Sequence, residues 1–298
     1  MSVKAVALGL SLFVGGCAAP PPVAAESSGS IAPSLAAACA GRDGWSDPAP
    51  PARIIGNLYY VGTCGITSLL VTSRQGHVLI DGGPPDAAPL IAANIRRLGF
   101  NPRDVRYLLN SHEHLDHAGG LAALKQLSGA KLVARAEARS VLESGKVDPR
   151  DPQAGAIPGM PGVAVDRVIA DGETVRLGPI ALTAHATPGH TDGGTSWSWR
   201  VCEAGRCSTV TFVDSLTPVS ADGYRFTDHP ERVAPFRATF DRVARLDCDI
   251  LITPHPSASN LFPRLAGRAP LVDRGGCAAY AQAARKRLDD RLASEAAR

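Results

Sequence analysis

The sequence predicts an α+β domain in which two sheets pack face to face with helices outside, built from two similar halves. Three observations predict it. Strand-like apolar runs are followed by helical patterns, and that order occurs twice along the chain. Several strand pairs are joined by connections of hairpin length, which an all-parallel α/β sheet does not allow. The chain has 298 residues, 45% of them hydrophobic, enough for one large domain or two small ones with a buried core. A net charge of only +3 gives no concentrated basic face of the kind nucleic acid requires, so nucleic acid is not expected as a partner.

The N-terminus reads as an export signal. Lys4 precedes an apolar run at 5–14 that is too short to span a bilayer, and small residues follow. Val14-Gly15-Gly16-Cys17 matches a bacterial lipobox, with Cys17 as the lipidation candidate; Val23-Ala24-Ala25 offers ordinary cleavage instead. The expected organisation is a signal peptide at 1–16 (alternatively 1–25), a tether and irregular segment rich in Ala, Pro and Ser at 17–52, and one domain at 53–298.

Within that domain, strands are expected at 54–61, 67–72 and 77–80, the last ending in the turn Asp81-Gly82-Gly83-Pro84. A helix at 86–98 follows from the spacing of Leu90, Ile91, Ile95 and Leu98 and stops at Gly99. A buried strand at 105–109 runs into a histidine cluster, and Leu121, Leu124 and Leu127 mark the next helix. Residues 148–162 are dense in Pro and Gly and form an irregular loop of the kind that borders active sites. The second half offers strands at 165–169, 174–177, 180–184, 196–201, 209–213 and 250–253, with helices at 231–246 and 278–297.

Seven cysteines include Cys17, which belongs to export. The other six allow 15 pairings, and sequence alone does not choose among them. Cys202 and Cys207 flank a short hairpin that would bring them together. The rest pair most simply as Cys39 with Cys64 and Cys248 with Cys277, and no C-x2-C spacing suggests a cysteine metal site.

His112-Glu113-His114-Leu115-Asp116-His117 places four ligand-type side chains directly after a strand. In an extended stretch His112 and His114 point to one side, while Asp116 and His117 fall where the chain turns into a helix. Imidazole with carboxylate suits zinc, with iron or manganese as alternatives. Two further histidines, His190 in Thr187-Pro188-Gly189-His190-Thr191 and His255 in Pro254-His255-Pro256, end other strands. Together they make two sets of three, His112, His114, His190 and Asp116, His117, His255, each with coordination left open as in a catalytic site. His77, His185 and His229 fit neither set and read as structural.

This pattern of His112-x-His114-x-Asp116-His117 with a downstream Pro-Gly-His190 and Pro-His255 resembles the metallo-β-lactamase superfamily, above all its subclass B3. Leu79-Ile80-Asp81-Gly82-Gly83, Thr195-Ser196-Trp197 and Asp214-Ser215-Leu216-Thr217-Pro218 extend the match over nearly all the mature chain. The resemblance implies a four-layer αββα sandwich with two zinc ions per chain in a groove between the sheets. His112, His114 and His190 would hold the first and Asp116, His117 and His255 the second. It also implies a disulfide near the C-terminus matching Cys248–Cys277, and some members carry three bridges placed like those above.

Relatives of this superfamily cleave thioesters, lactones, phosphodiesters or β-lactams, and the discriminating position is Asp214-Ser215. Adjacent strand residues face opposite ways, so only one of the two is expected to address the metals. Subclass B3 has a serine there, which favours Ser215; an inward Asp214 would suggest a lactonase or a thioesterase of the glyoxalase II type. The implied reaction is opening of penicillins, cephalosporins and carbapenems by a metal-bound hydroxide that Asp116 orients, conferring antibiotic resistance. Ser215 and Thr217 would bind the substrate carboxylate, the 148–162 loop would form a wall with Gln153 as a polar contact, and Asp81 would fix a histidine tautomer or cap a turn. Glu113 departs from the family, where many members carry a small or apolar residue, and extended geometry points it away from the metals. The expected protein is a monomer in the bacterial periplasm, attached to the outer membrane if Cys17 carries a lipid.

Overall fold

A computed structural model describes residues 1–3 and 32–297, so the signal segment and Cys17 lie outside the described residues. The first half comprises α1 (Ala32–Ala38), β1 (Ala52–Ile55), β2 (Leu58–Tyr60), β3 (Leu69–Ser73), β4 (Gly76–Ile80), α2 (Ala88–Arg97), β5 (Val105–Leu109), α3 (Leu115–Ala118), α4 (Leu121–Ser128), β6 (Lys131–Ala134), α5 (Ala136–Ser144) and β7 (Arg167–Val168). The second comprises β8 (Thr174–Leu177), β9 (Ile180–Ala186), β10 (Thr195–Glu203), β11 (Arg206–Phe212), α6 (Pro230–Val243), β12 (Ile250–Ile252), α7 (Leu261–Leu265) and α8 (Gly276–Ala296).

The strands form two sheets. In the seven-stranded sheet, β1 to β7 lie in sequence order, antiparallel as far as β4 and parallel from β4 onward. The five-stranded sheet runs β12-β11-β10-β9-β8, with only the β11–β12 pair parallel. Strand alternation divides the first sheet between two cores. Leu69, Val71, Val78, Ile80, Leu109 and Val133 face Leu182, Trp197, Trp199, Val210 and Phe212 of the other sheet. Leu70, Leu79, Leu108 and Leu132 face the opposite way, onto Ile91 and Ile95 of α2, Leu121 and Leu124 of α4 and Leu142 of α5. A third cluster packs Phe236 and Phe240 of α6 and Tyr280 and Leu288 of α8 against Val213 and Leu251, completing the αββα layering.

Several differences from the sequence expectation have local causes. The strand expected at 54–61 is a hairpin, because Gly56 takes φ 53° and a Cβ there would meet the Val201 side chain at 2.6 Å. Residues 32–52, read as the end of the tether, hold α1 with a buried Leu35, a bridge from Pro48 to Thr63, and a disulfide from Cys39 to Cys64. The short β6, the helix α5 and the one-turn α7 carried no sequence signal strong enough to place them. The other two bridges join Cys202 to Cys207 across the β10–β11 hairpin and Cys248 to Cys277 between β12 and α8.

Candidate metal centre

The site lies where strands of both sheets end. β5 delivers Asn110, Ser111 and His112; His114 caps α3, whose first turn supplies Asp116 and His117. The second sheet is tied to this strand end by Trp197 of β10, whose buried Nε1–H donates to the Asn110 carbonyl at 2.9 Å, and by Thr195 N–H, which donates to Ser111 O at 2.7 Å. His190 sits on the 187–194 turn between β9 and β10. There Gly189 takes φ 148°, and a Cβ on it would strike the Phe236 ring at 2.6 Å, so only glycine permits this turn against α6. His255 follows β12.

The ligand-type atoms converge. Those of His112, His114 and His190 all lie within 4.8 Å of one another, and so do those of His112, Asp116 and His117. Asp116 Oδ2 is 3.0 Å from His117 Nε2, and His255 Nε2 is 3.3 Å from His117 Nε2 and 3.4 Å from Asp116 Oδ2. The six expected residues therefore form one continuous patch in which His112 borders both groups. His255 closes it from the solvent side with 35% of its side chain exposed, whereas His112 and His117 are buried.

Behind four of the five imidazoles an acceptor meets the other ring nitrogen. Asp214 Oδ1 is 2.8 Å from His112 Nδ1, and Asp151 Oδ2 is 2.8 Å from His114 Nε2. The Thr217 carbonyl is 2.9 Å from His190 Nδ1, and the Gly65 carbonyl is 3.2 Å from His255 Nδ1. Asp81 Oδ2 approaches His117 Nδ1 to 3.3 Å but off the line of its N–H, so this contact is electrostatic rather than a hydrogen bond. Carbonyls and carboxylates accept only, so each holds the ring proton on its own side and leaves a lone pair toward the patch. Converging lone pairs in a buried cluster fit metal ions.

Electrostatics agrees with that reading. Burial, followed by repulsion from His117 and His190, holds the His112 ring well below its ordinary value, while burial raises the Asp214 carboxyl above its own. Burial and His114 bring His190 down to about 3. Burial opposes ionisation of Asp116, but the His117 charge and hydrogen bonds from His117 and His255 outweigh it and hold the carboxyl well below its usual range. Burial likewise opposes a charge on His117, yet Asp116 and Asp81 raise it to about 10. A metal binding at Asp116 and His117 must therefore expel the His117 proton near neutral pH. Affinity there is expected to rise about tenfold per unit between roughly pH 7 and 9, because raising the pH removes the competing proton. Calorimetric titration with zinc in buffers of different ionisation heat should register that proton, and a pH-independent affinity would contradict the assignment.

The remaining expected residues fall as follows. Asp214 lies beyond the end of β11, so strand alternation does not govern it; its carboxylate turns inward behind His112. Ser215 is buried next to it, and Gly194 makes room, since a Cβ there would meet Asp214 Oδ2 at 2.5 Å. Thr217 presents its carbonyl to His190, and its Oγ1 lies 3.5 Å from the same nitrogen. Gln153 lies in the 148–162 loop with Nε2 3.4 Å from His114 Nδ1. Asp81 accepts both the N–H and the hydroxyl of Ser111 at 2.6 Å, holding the strand end as well as facing His117. Sequence reasoning missed Asp151, Gly65 and the Thr217 carbonyl as partners; only the placement of the 148–162 loop beside the site hinted at the first. His77 packs edge-on against Phe100, His185 bonds Ser198, and His229 stacks on Tyr224, all apart from the patch.

Comparison with known proteins places this geometry. The profile of the metallo-beta-lactamase superfamily matches residues 61–255. The chain is 59% identical to the metallo-beta-lactamase MIM-1 from Novosphingobium pentaromativorans, with a TM-score of 0.87 over 88% of this chain and 98% of that one. It is 46% identical to MEM-A1, a subclass B3 metallo-beta-lactamase from a soil metagenome library, with a TM-score of 0.82 over 85% and 99% of the two chains. A hydroxyacylglutathione hydrolase of Anaeromyxobacter dehalogenans is 30% identical over 76% of this chain and 72% of its own length. With its two packed sheets, its strand-end histidine patch and its likeness to subclass B3 structures, the chain belongs to the metallo-beta-lactamase superfamily.

Proposed function

We propose that the protein is a dizinc hydrolase that opens the β-lactam ring of penicillins, cephalosporins and carbapenems. The observation that carries this is the patch of six converging ligand-type side chains, with a hydrogen-bonded acceptor behind four of its five imidazoles. His112, His114 and His190 would hold one ion, and Asp116, His117 and His255 the other. Bound there, zinc supplies Lewis acidity toward a carbonyl and a water ionised near neutral pH. Asp116, kept ionised by His117 and His255, accepts a hydrogen bond from the attacking water and aims it. The Ser215 and Thr217 hydroxyls are proposed to bind the carboxylate of the bicyclic substrate, and the 148–162 loop with Gln153 to form one wall. No side chain serves as a nucleophile, and the six folded cysteines are all bridged.

The β-lactam reading is supported over thioester cleavage by two observations. Identity to the solved β-lactamase is 59% against 30% to the hydroxyacylglutathione hydrolase. Asp214, the residue a thioesterase site would turn onto the metals, instead stands behind His112. The test is metal analysis of the purified protein, then carbapenem hydrolysis with and without a chelator. About two zinc per chain and chelator-sensitive ring opening are expected; zinc with thioester or lactone cleavage but no β-lactam turnover would sink the proposal. We further propose export to the periplasm as a monomer through the signal at 1–16 or 1–25, with Cys17 as a lipid attachment point. Among the described residues, no helix is long and apolar enough to cross a membrane.

A further inference from the structure

Glu113, which stands in sequence between His112 and His114, is neither solvated nor idle. It is buried between His112 and His114 with its side chain turned onto the 187–194 turn that carries His190. Thr191 Oγ1–H donates to its Oε2 at 2.9 Å, and Gly193 N–H donates to its Oε1 at 2.9 Å. Gly193 is shaped for this contact, since a Cβ there would meet Glu113 Oε2 at 2.5 Å. From the other side Arg135 Nη1 donates to the Gly194 carbonyl at 3.1 Å, and the turn closes on itself through Thr187 N–H to Gly194 O at 2.9 Å. The two halves of the His112–His114–His190 set come from different sheets, and Glu113 is the side chain that links them from within the ligand cluster.

We propose that Glu113 is a positioning residue for the first metal: it clamps the His190 turn through Thr191 and Gly193, so that His190 meets His112 and His114 at ligand distance. This rests on the ligand assignment proposed above. A carboxylate suits the task because both donors need an acceptor. Glu113→Gln retains the volume but turns an NH2 group toward one of them, leaving that donor unpaired in a buried place. Groups that orient metal ligands typically change affinity by about 10–100-fold when lost.

The test isolates each metal. Zinc dissociation constants are measured by competition with a chromophoric chelator in His255→Ala, which leaves the first set complete, and in His190→Ala, which leaves the second. Adding E113Q to the His255→Ala protein is expected to weaken zinc at least about tenfold, and to leave the His190→Ala protein within about twofold. Thr191→Val should reproduce the first effect and Thr191→Ser should restore wild-type affinity, which also serves if E113Q folds poorly. Unchanged affinity in the His255→Ala background, or equal weakening in both, would overturn the proposal, the latter because it marks general loosening. The readout is zinc affinity, so failure of β-lactam hydrolysis would remove the proposed substrate without touching this inference.

Discussion

Replacing His190 with alanine is expected to lower zinc content by about one equivalent and kcat/KM for a carbapenem by at least on the order of 10²–10³-fold. His190 is the proposed ligand that the second half of the chain contributes to the first set, and the Thr217 carbonyl on its Nδ1 leaves Nε2 for the patch. The substitution removes a partly buried ring from a turn rather than from the core, so the fold should survive it. His185→Ala is the control: His185 bonds Ser198 outside the patch, and both zinc content and turnover should stay at wild-type levels. Full activity in His190→Ala, or equal losses in the two variants, would refute the ligand assignment.

Removing the Cys248–Cys277 bridge by a double alanine substitution is expected to cost about 3–4 kcal/mol, from the closure entropy of a loop this long. The two cysteines are separated by 29 positions and are buried in the cluster that holds α8 against Leu251 and α6. For a domain of this size that corresponds to a fall in Tm of roughly 6–15 °C. Zinc stoichiometry should not change, because no cysteine lies among the converging ligands. Calorimetry together with metal analysis checks both halves of the statement; a Tm near wild type would show that the packing of Phe240, Tyr280 and Leu288 holds the helix unaided.

Much of the architecture was legible from local pattern. The helix at 88–97 follows the spacing of its apolar residues, and β9 alternates buried with half-buried positions as a sheet face should. Elements that the pattern missed are of two kinds. β6, Lys131–Ala134, has only four residues, too few for a period to register, and is recognisable only by its pairing with β5 and β7. Gly56 splits an apparently continuous strand because the Val201 side chain, distant in sequence, occupies the space where a side chain would stand. Asp214 and Ser215 lie past Phe212, where β11 ends, so their orientation follows the loop rather than strand alternation.

For the site itself, the chain alone determined the ligand chemistry. Four ligand-type groups from His112 to His117 after a strand, and histidines ending two later strands, are local facts, as is the hairpin that pairs Cys202 with Cys207. Tertiary structure decided how those groups are used. Which nitrogen of a histidine faces the patch depends on where the other finds an acceptor, and His112 meets Asp214 across 102 positions, His255 meets Gly65 across 190. It also decided what Glu113, already expected to point away from the metals, grips there: Thr191 and Gly193. A residue type sets what an atom can donate or accept, but hydrogen bonds are short and directional, so only packing of both halves settles which atom meets which.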